Sequence, residues 1–303
     1  MCPLPSGEQH DLDDKRPVTS YDIIIYVIPQ NYSGPQLIFL KLGGSLITDK
    51  TAPRTPRPEV LRRLAVEIAE ATKANPEMRL LLGHGSGSFG HVPARQYNTR
   101  QGVQTPEQWR GFAEVWRDAN ALNRLVVDAL YEAGLPVIAF PPSACVTARD
   151  GQVVDWDITP LRQALDVGLL PVVQGDVIFD AARGGTILST EDIFMHLARY
   201  LRPARLLLAG IEPGVWPEYP PRLDGAARGI VPEITPNNIK EVLPALGGSQ
   251  ATDVTGGMAS KVRQMLALVQ ELPGLEVLVF SGLQPGAVRE ALLGELSGTK
   301  IRV

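Results

Sequence analysis

At 303 residues the chain is long enough for a large α/β core, built as one unit or as two lobes. A hydrophobic content of 44% and a charged content of 20% are those of an ordinary soluble globular protein, and a net charge of −4 leaves no basic excess for non-specific nucleic-acid binding. Cys2 and Cys145 form no disulfide framework and have no metal-ligand spacing, and no apolar run reaches the roughly 18 residues that cross a bilayer, so a cytoplasmic protein without a membrane partner is expected.

Residues 1–20 are polar and contain proline, with neither the basic start nor the apolar stretch of a signal peptide. The β-branched run at 22–28 would make an extra edge strand, and the loop at 31–35 separates it from the regular pattern. Residues 1–35 are expected to be a poorly ordered appendage. Residues 36–42 read as a buried strand entering Gly43-Gly44-Ser45, and 58–74 carries Val60, Leu61, Leu64, Ile68 and Ala71 at helical spacing. A strand at 80–82 runs into the cluster GHGSGSFGH at 83–91, followed by a polar loop to 105 and a long helix at 106–133 closed by Gly134. Further strands are predicted at 136–140, 170–173, 206–209, 277–280 and 300–303, with helices at 159–166, 191–199 and 256–271. Strands alternating with helices imply a largely parallel sheet with helices on both faces. The Pro-rich stretch 213–236 reads as a surface hairpin or lid.

The glycine clusters carry the chemistry. A strand that ends in glycines lets backbone N–H groups close around an anion, and His91 adds a donor at neutral pH. Lys41 at the end of a buried strand, beside Gly43-Gly44-Ser45, would hold a phosphoryl oxygen. Lys50, nine residues on, lies in a polar loop. Gly85 to Gly90 satisfies the dinucleotide fingerprint G-x-G-x-x-G, but no helix is expected directly after it and no acidic residue ends a strand some 20 residues on, so a Rossmann site is rejected. No P-loop motif is present. Asp176, in Gln174-Gly175-Asp176, stands where α/β sites are built and would orient the lysines and keep them charged. Ser189-Thr190-Glu191-Asp192 opens a helix, and capping accounts for most of its composition. In DVTGGMASK at 253–261, two glycines open an amphipathic helix with Lys261 about one turn inside, a second anion site.

The order KLGGS, HGSGSFGH, QGD, STED, DVTGGMASK and finally GTKI at 298–301 resembles the amino acid kinase superfamily, and within it the isopentenyl phosphate kinase family, over about residues 37–303. The resemblance implies an open αβα sandwich in two lobes, an acceptor lobe at 36–183 and a nucleotide lobe at 184–303, and a homodimer. It implies transfer of a phosphoryl group from ATP, with Mg2+, to isopentenyl phosphate. Position by position, His91 matches the histidine on the acceptor phosphate, Lys41 and Lys50 match lysines flanking the transferred group, and Lys261 matches one on the ATP phosphates. Gly43, Gly44, Ser45, Gly87 and Gly257 would approach ATP, Ser86 and Gly175 the acceptor, and Asp176 would organise the lysines; no metal ligand is implied. Phe112, Val115 and Trp116 are candidates for the pocket of the five-carbon chain. The run AGIEPGVW at 209–216 departs from the family's T-D-V-D-G-V-Y-like pattern, with Glu212 in place of an aspartate and Pro213 inserted. The alternatives are a kinase for a phosphonate such as fosfomycin, with a smaller and more polar pocket, or a non-catalytic nucleotide- or metabolite-sensing module.

Overall fold

The computed structural model of the chain describes residues 36–217, 229–246 and 257–303. The appendage and strand expected within 1–35, the middle of the 213–236 excursion and residues 253–256 of the DVTGGMASK motif lie outside the described residues.

An eight-stranded sheet forms the centre, with strands in the spatial order Glu233–Ile234, Thr299–Ile301, Glu276–Ser281, Arg205–Gly210, Leu37–Leu42, Arg79–His84, Leu170–Gln174 and Val137–Ala139. Every pairing is parallel except that of Thr299–Ile301 with Glu276–Ser281. Because side chains alternate along a strand, each strand contributes to two cores. Phe39, Leu81, Val173 and Leu206 face one side, where Phe194, Leu197, Met265 and Val269 from the helices Thr190–Leu201 and Gly257–Glu271 cover them. Leu40, Leu82, Val172 and Leu207 face the other, under Leu64, Ile68, Leu122 and Val126 from the helices Pro58–Ala74 and Pro106–Glu132. The expected αβα sandwich with a largely parallel sheet is what forms. Among the described residues no helix is long and apolar enough to cross a membrane.

Helix Pro58–Ala74 forms over the range its periodicity predicts, and the long helix ends at Glu132 with Gly134 at φ +87°, the left-handed residue expected there. Two features differ from expectation. First, GSFGHVPARQ is a helix, Gly87–Gln96, where a polar loop was predicted. Gly87, Gly90 and Pro93 are poor helix formers, and burial of Phe89 and Ala94 overrides their propensities. One ground for rejecting the dinucleotide fingerprint therefore falls. The other stands, since the next strand lies beyond the 27-residue helix and ends at Ala139, not at an acid.

Second, a four-stranded sheet in the order Gly184–Leu188, Asp176–Asp180, Val146–Arg149 and Gln152–Trp156 was not foreseen. Its signal is Asp150-Gly151, whose φ angles of +51° and +75° suit a two-residue hairpin turn. Asp180 accepts the N–H groups of Asp150, Gly151, Ala182 and Arg183 at 2.7–3.0 Å and so closes both hairpin turns. Burial pushes its carboxyl pKa up, but these four donors together bring it below the ordinary 3.8. This sheet matters to function because it joins the turn at Gly175-Asp176 to the turn at Ser189, with Asp176 and Leu188 directly paired.

Candidate active site

A cleft of about 300 Å³ opens at the C-terminal ends of the central strands, the usual place for a ligand in an open α/β sheet. Lys41, Lys50, His91, Asp176 and Lys261 all line it, as do Gly43, Gly44, Ser45, Ser86, Gly175 and Gly257. Residues more than 200 positions apart in sequence are brought to one wall.

Lys41 is 8% exposed rather than reaching solvent. It points to the same side of the sheet as Phe39, whose ring lies 5.0 Å from that of Phe194. Two residues along the strand advance about 6.6 Å, and three residues back along the covering helix about 4.5 Å. The side chain opposite Lys41 is therefore Glu191. Its Oε1 lies 2.5 Å from Lys41 Nζ and 3.8 Å from Lys261 Nζ, and the carboxylate is 4% exposed. Burial pushes the Glu191 carboxyl up, yet the ammonium groups of Lys41 and Lys261 outweigh it and hold the pKa below 4.5. The carboxylate seen between these two lysines is thus Glu191, in a segment read from sequence as a helix cap. Ser189 and Asp192 do form the capping box, leaving Glu191 to turn inward.

The glycines divide by task. Gly83 is a packing residue: a Cβ there would lie 2.6 Å from the Phe194 ring and from Thr190 Cγ2, so its absence lets the helix start over the strand. Thr190 Oγ1 then donates to His84 O at 2.7 Å. Gly44 lies flat against the second glycine turn, where a Cβ would come within 2.5 Å of Gly87 N. Gly87, at φ +50°, sits behind the wall with its Cβ position 2.1 Å from Thr48 Oγ1, while Gly85 and Gly90 line the cleft in its place. The two glycine turns thus form one continuous backbone surface, as an anion cradle requires.

The two histidines of the motif separate cleanly. His84 is fully buried, with Nε2 3.0 Å from Asn123 Oδ1 and Nδ1 3.2 Å from Gly85 O. Burial holds its pKa below 6.5 in spite of both contacts, so it is neutral and structural. His91 lies on the helix Gly87–Gln96 and faces the cleft.

Asp176 is 1% exposed and accepts from Ser143 N at 3.1 Å and Val177 N at 2.9 Å. Burial raises its pKa to about 6, the hydrogen bonds from Ser143 and Val177 opposing only part of the shift. Its folded pKa lies above its unfolded value, so the folded state binds the extra proton between about pH 4 and 6 and loses stability as pH rises through that range. The shift corresponds to about 3 kcal/mol of folding cost at neutral pH. Asp176→Asn removes that cost and forfeits about 1 kcal/mol in one acceptor. A net gain of about 1–2 kcal/mol at pH 7.5 that vanishes near pH 4, together with slower turnover, is expected in urea unfolding series and steady-state rates.

Of the three pocket candidates, Val115 lines the cleft. Phe112 instead packs in a small core with Val103 and Val177, and Trp116 is 46% exposed, donating to Ser143 Oγ. Ala94, Ala119 and Ile187 complete the apolar wall with Val115. At the other end, the divergent run after strand Arg205–Gly210 is fixed by Thr299. Its Oγ1 accepts Val215 N at 2.7 Å and donates to Val231 O at 2.6 Å, and Val215 bridges Val231 at the foot of the expected hairpin. Glu212 accepts the Trp216 indole N–H at 2.8 Å, and both line the cleft.

The amino acid kinase family matches residues 36–281. The chain is 34% identical over 275 residues to isopentenyl phosphate kinase of Methanothermobacter thermautotrophicus, covering 88% of this chain and 98% of that protein. It is 37% identical over 267 residues to isopentenyl phosphate kinase of Haloferax volcanii, with the same coverage of both. An X-ray structure of isopentenyl phosphate kinase superposes with a TM-score of 0.73 at 31% identity, over 88% of this chain and all of that one.

Proposed function

The chain belongs to the amino acid kinase family and, within it, to the isopentenyl phosphate kinases, and from that premise we propose that it transfers the γ-phosphoryl group of ATP to isopentenyl phosphate. The observation that carries the reading is the buried pairing of Glu191 with Lys41 and Lys261 at the meeting of two glycine turns. Transfer between two phosphates gathers several negative charges at one point, and catalysis then consists of positioning and neutralisation. A terminal phosphate oxygen of the acceptor attacks the γ-phosphorus while the bond to the β,γ-bridging oxygen breaks and ADP leaves. The nucleophile is already an anion, so no general base is needed, and His91 serves to bind the acceptor phosphate along with Ser86 and the Gly175 backbone.

In this reading the ATP phosphates lie over Gly43-Gly44-Ser45 and the helix start at Gly257, held by Lys41 and Lys261, and Lys50 flanks the moving group. Residues 36–183 supply the acceptor side and 184–303 the nucleotide side. The hydrocarbon rests on Ala94, Val115, Ala119 and Ile187, a wall too apolar for a small phosphonate acceptor. The cleft-lining carboxylates Asp176, Glu191 and Glu212 are each engaged by protein donors, and among the described residues no cluster of three or more His, Cys, Asp or Glu could hold a metal ion. Mg2+ enters the proposal as the counter-ion that ATP carries on its own oxygens. A cytoplasmic homodimer completes the proposal.

The test is phosphorus NMR of the purified protein with magnesium-ATP and isopentenyl phosphate, wild type beside His91→Ala. Diphosphate signals that appear in the wild type and build up at least about 100-fold more slowly in the variant are expected. ATP binding without a diphosphate product would remove isopentenyl phosphate as the acceptor.

A further inference from the structure

Lys50 is the site lysine least secured by its own backbone. It occupies the loop of a two-stranded hairpin, Thr48–Asp49 with Thr55–Pro56, and is itself exposed. Transfer requires its ammonium in one place, and the placement of the loop sets where that side chain starts.

The hairpin is held at its feet. Thr48 Oγ1 accepts Ser88 N at 2.9 Å, Thr55 N donates to Ser88 Oγ at 3.1 Å, and Arg54 N donates to Ser88 O at 3.1 Å. Within the loop, the Asp49 carboxylate accepts the Thr51 N–H at 2.9 Å and its hydroxyl at 2.7 Å, an Asx-turn that wraps Lys50.

A further hold comes from another part of the chain. Arg54 adopts φ +51°, an unfavourable backbone for a non-glycine residue. Its Nε and Nη2 each lie 2.8 Å from an oxygen of Asp118, a two-pronged pair. Asp118 is 3% exposed, and it interrupts the apolar stripe Val115, Ala119, Leu122 of the long helix. A buried carboxylate in an apolar stripe breaks the pattern that folding alone would favour, and such breaks mark functional positions. Val115 and Ala119 on either side of it belong to the apolar wall of the cleft.

We infer that Arg54 and Asp118 are a positioning pair that sets Lys50 by tying its loop to the helix on which the acceptor's hydrocarbon rests. The inference rests on the reading of Lys50 as a residue of phosphoryl transfer. Neither member touches the reacting atoms; the pair acts through Lys50.

The test is a kinetic cycle on the full chain with Arg54→Ala, Lys50→Met and the double variant, each also checked by thermal melting and ATP binding. Arg54→Ala is expected to lower kcat about 10-fold or more while the KM for ATP stays within about threefold. In the Lys50→Met background the same change should alter kcat by less than about twofold, because the group it positions is gone. Arg54→Lys should restore little, since an ammonium cannot make the two-pronged contact. Should Arg54→Ala fold poorly, Asp118→Asn, of unchanged shape, is expected to show the same kcat loss. Wild-type kcat in the folded Arg54 or Asp118 variant, or an equal loss with and without Lys50, would overturn the pair's role. Wild-type turnover by Lys50→Met would instead overturn the reading of Lys50 itself, whatever Arg54→Ala does.

Discussion

Glu191→Gln is expected to lower kcat about 100-fold and to destabilise the fold by about 3 kcal/mol. The amide keeps the size of the carboxylate and loses its charge, so Lys41 and Lys261, both within 4 Å of Oε1 in the wild type, lose the anion that draws them together. Removing one member of a buried ionic group costs more than the group's net worth, because it also takes compensation away from the charges that stay. The pH dependence separates this effect from simple loss of packing. The wild-type carboxyl has a folded pKa below its unfolded 4.5, so its stabilisation is present above that value and disappears as pH falls through the lowered one. The variant lacks this acid-side slope. Urea unfolding between pH 3 and 8, with steady-state kinetics at neutral pH, reads both quantities. A variant with wild-type kcat would remove charge organisation by Glu191 from the mechanism.

Gly44→Ala is expected to cost about 3 kcal/mol of stability and to reduce kcat/KM for ATP by more than about 100-fold. The added methyl would lie 2.5 Å from Gly87 N and 2.6 Å from Gly87 Cα, both backbone atoms. Gly87 cannot retreat easily, since its own Cβ position is 2.1 Å from Thr48 Oγ1, and Thr48 in turn bonds Gly44 O and Ser88 N. The strain has no flexible side chain to absorb it, and spreading the two turns would open the cradle. Gly134→Ala is the control. Unlike Gly44 it has a positive φ, +87°, and a Cβ there meets nothing within 4 Å. It should cost about 1 kcal/mol and leave kinetics unchanged. Thermal melts and initial rates of the two variants side by side check the contrast; equal effects on kcat/KM would show that the Gly44–Gly87 contact has no special place in the site.

The helix at Gly87–Gln96 shows where local reading stops. Two glycines and a proline in ten residues argue against a helix on propensity alone. What decides the matter is Phe89 and Ala94 finding burial and the first turn docking on Thr48. The pocket candidates show the same limit. Phe112, Val115 and Trp116 fall on adjacent faces of one helical pattern, and only the neighbours settle that Val115 meets the cleft while Phe112 meets a core and Trp116 meets solvent.

By itself the sequence determined the alternation of strands and helices, the αβα class, the loop of Lys50, and the glycine turns beside which Lys41, His91 and Lys261 stand. These follow from short-range causes: hydrophobic periodicity, glycines where backbone must come close, and strand ends that open on one edge of a parallel sheet. Only the tertiary structure decided which carboxylate the lysines meet. Glu191 and Asp176 are both acids at the start of an element, a helix and a strand, and nothing within a few residues of either tells which one the lysines meet. The choice was made 150 residues from Lys41, when the absence of a side chain at Gly83 let Thr190 and Phe194 settle over the strand and set Glu191 one helical turn beyond Phe194. A buried charge takes its partner from the element packed against it, and that packing is a property of the whole chain.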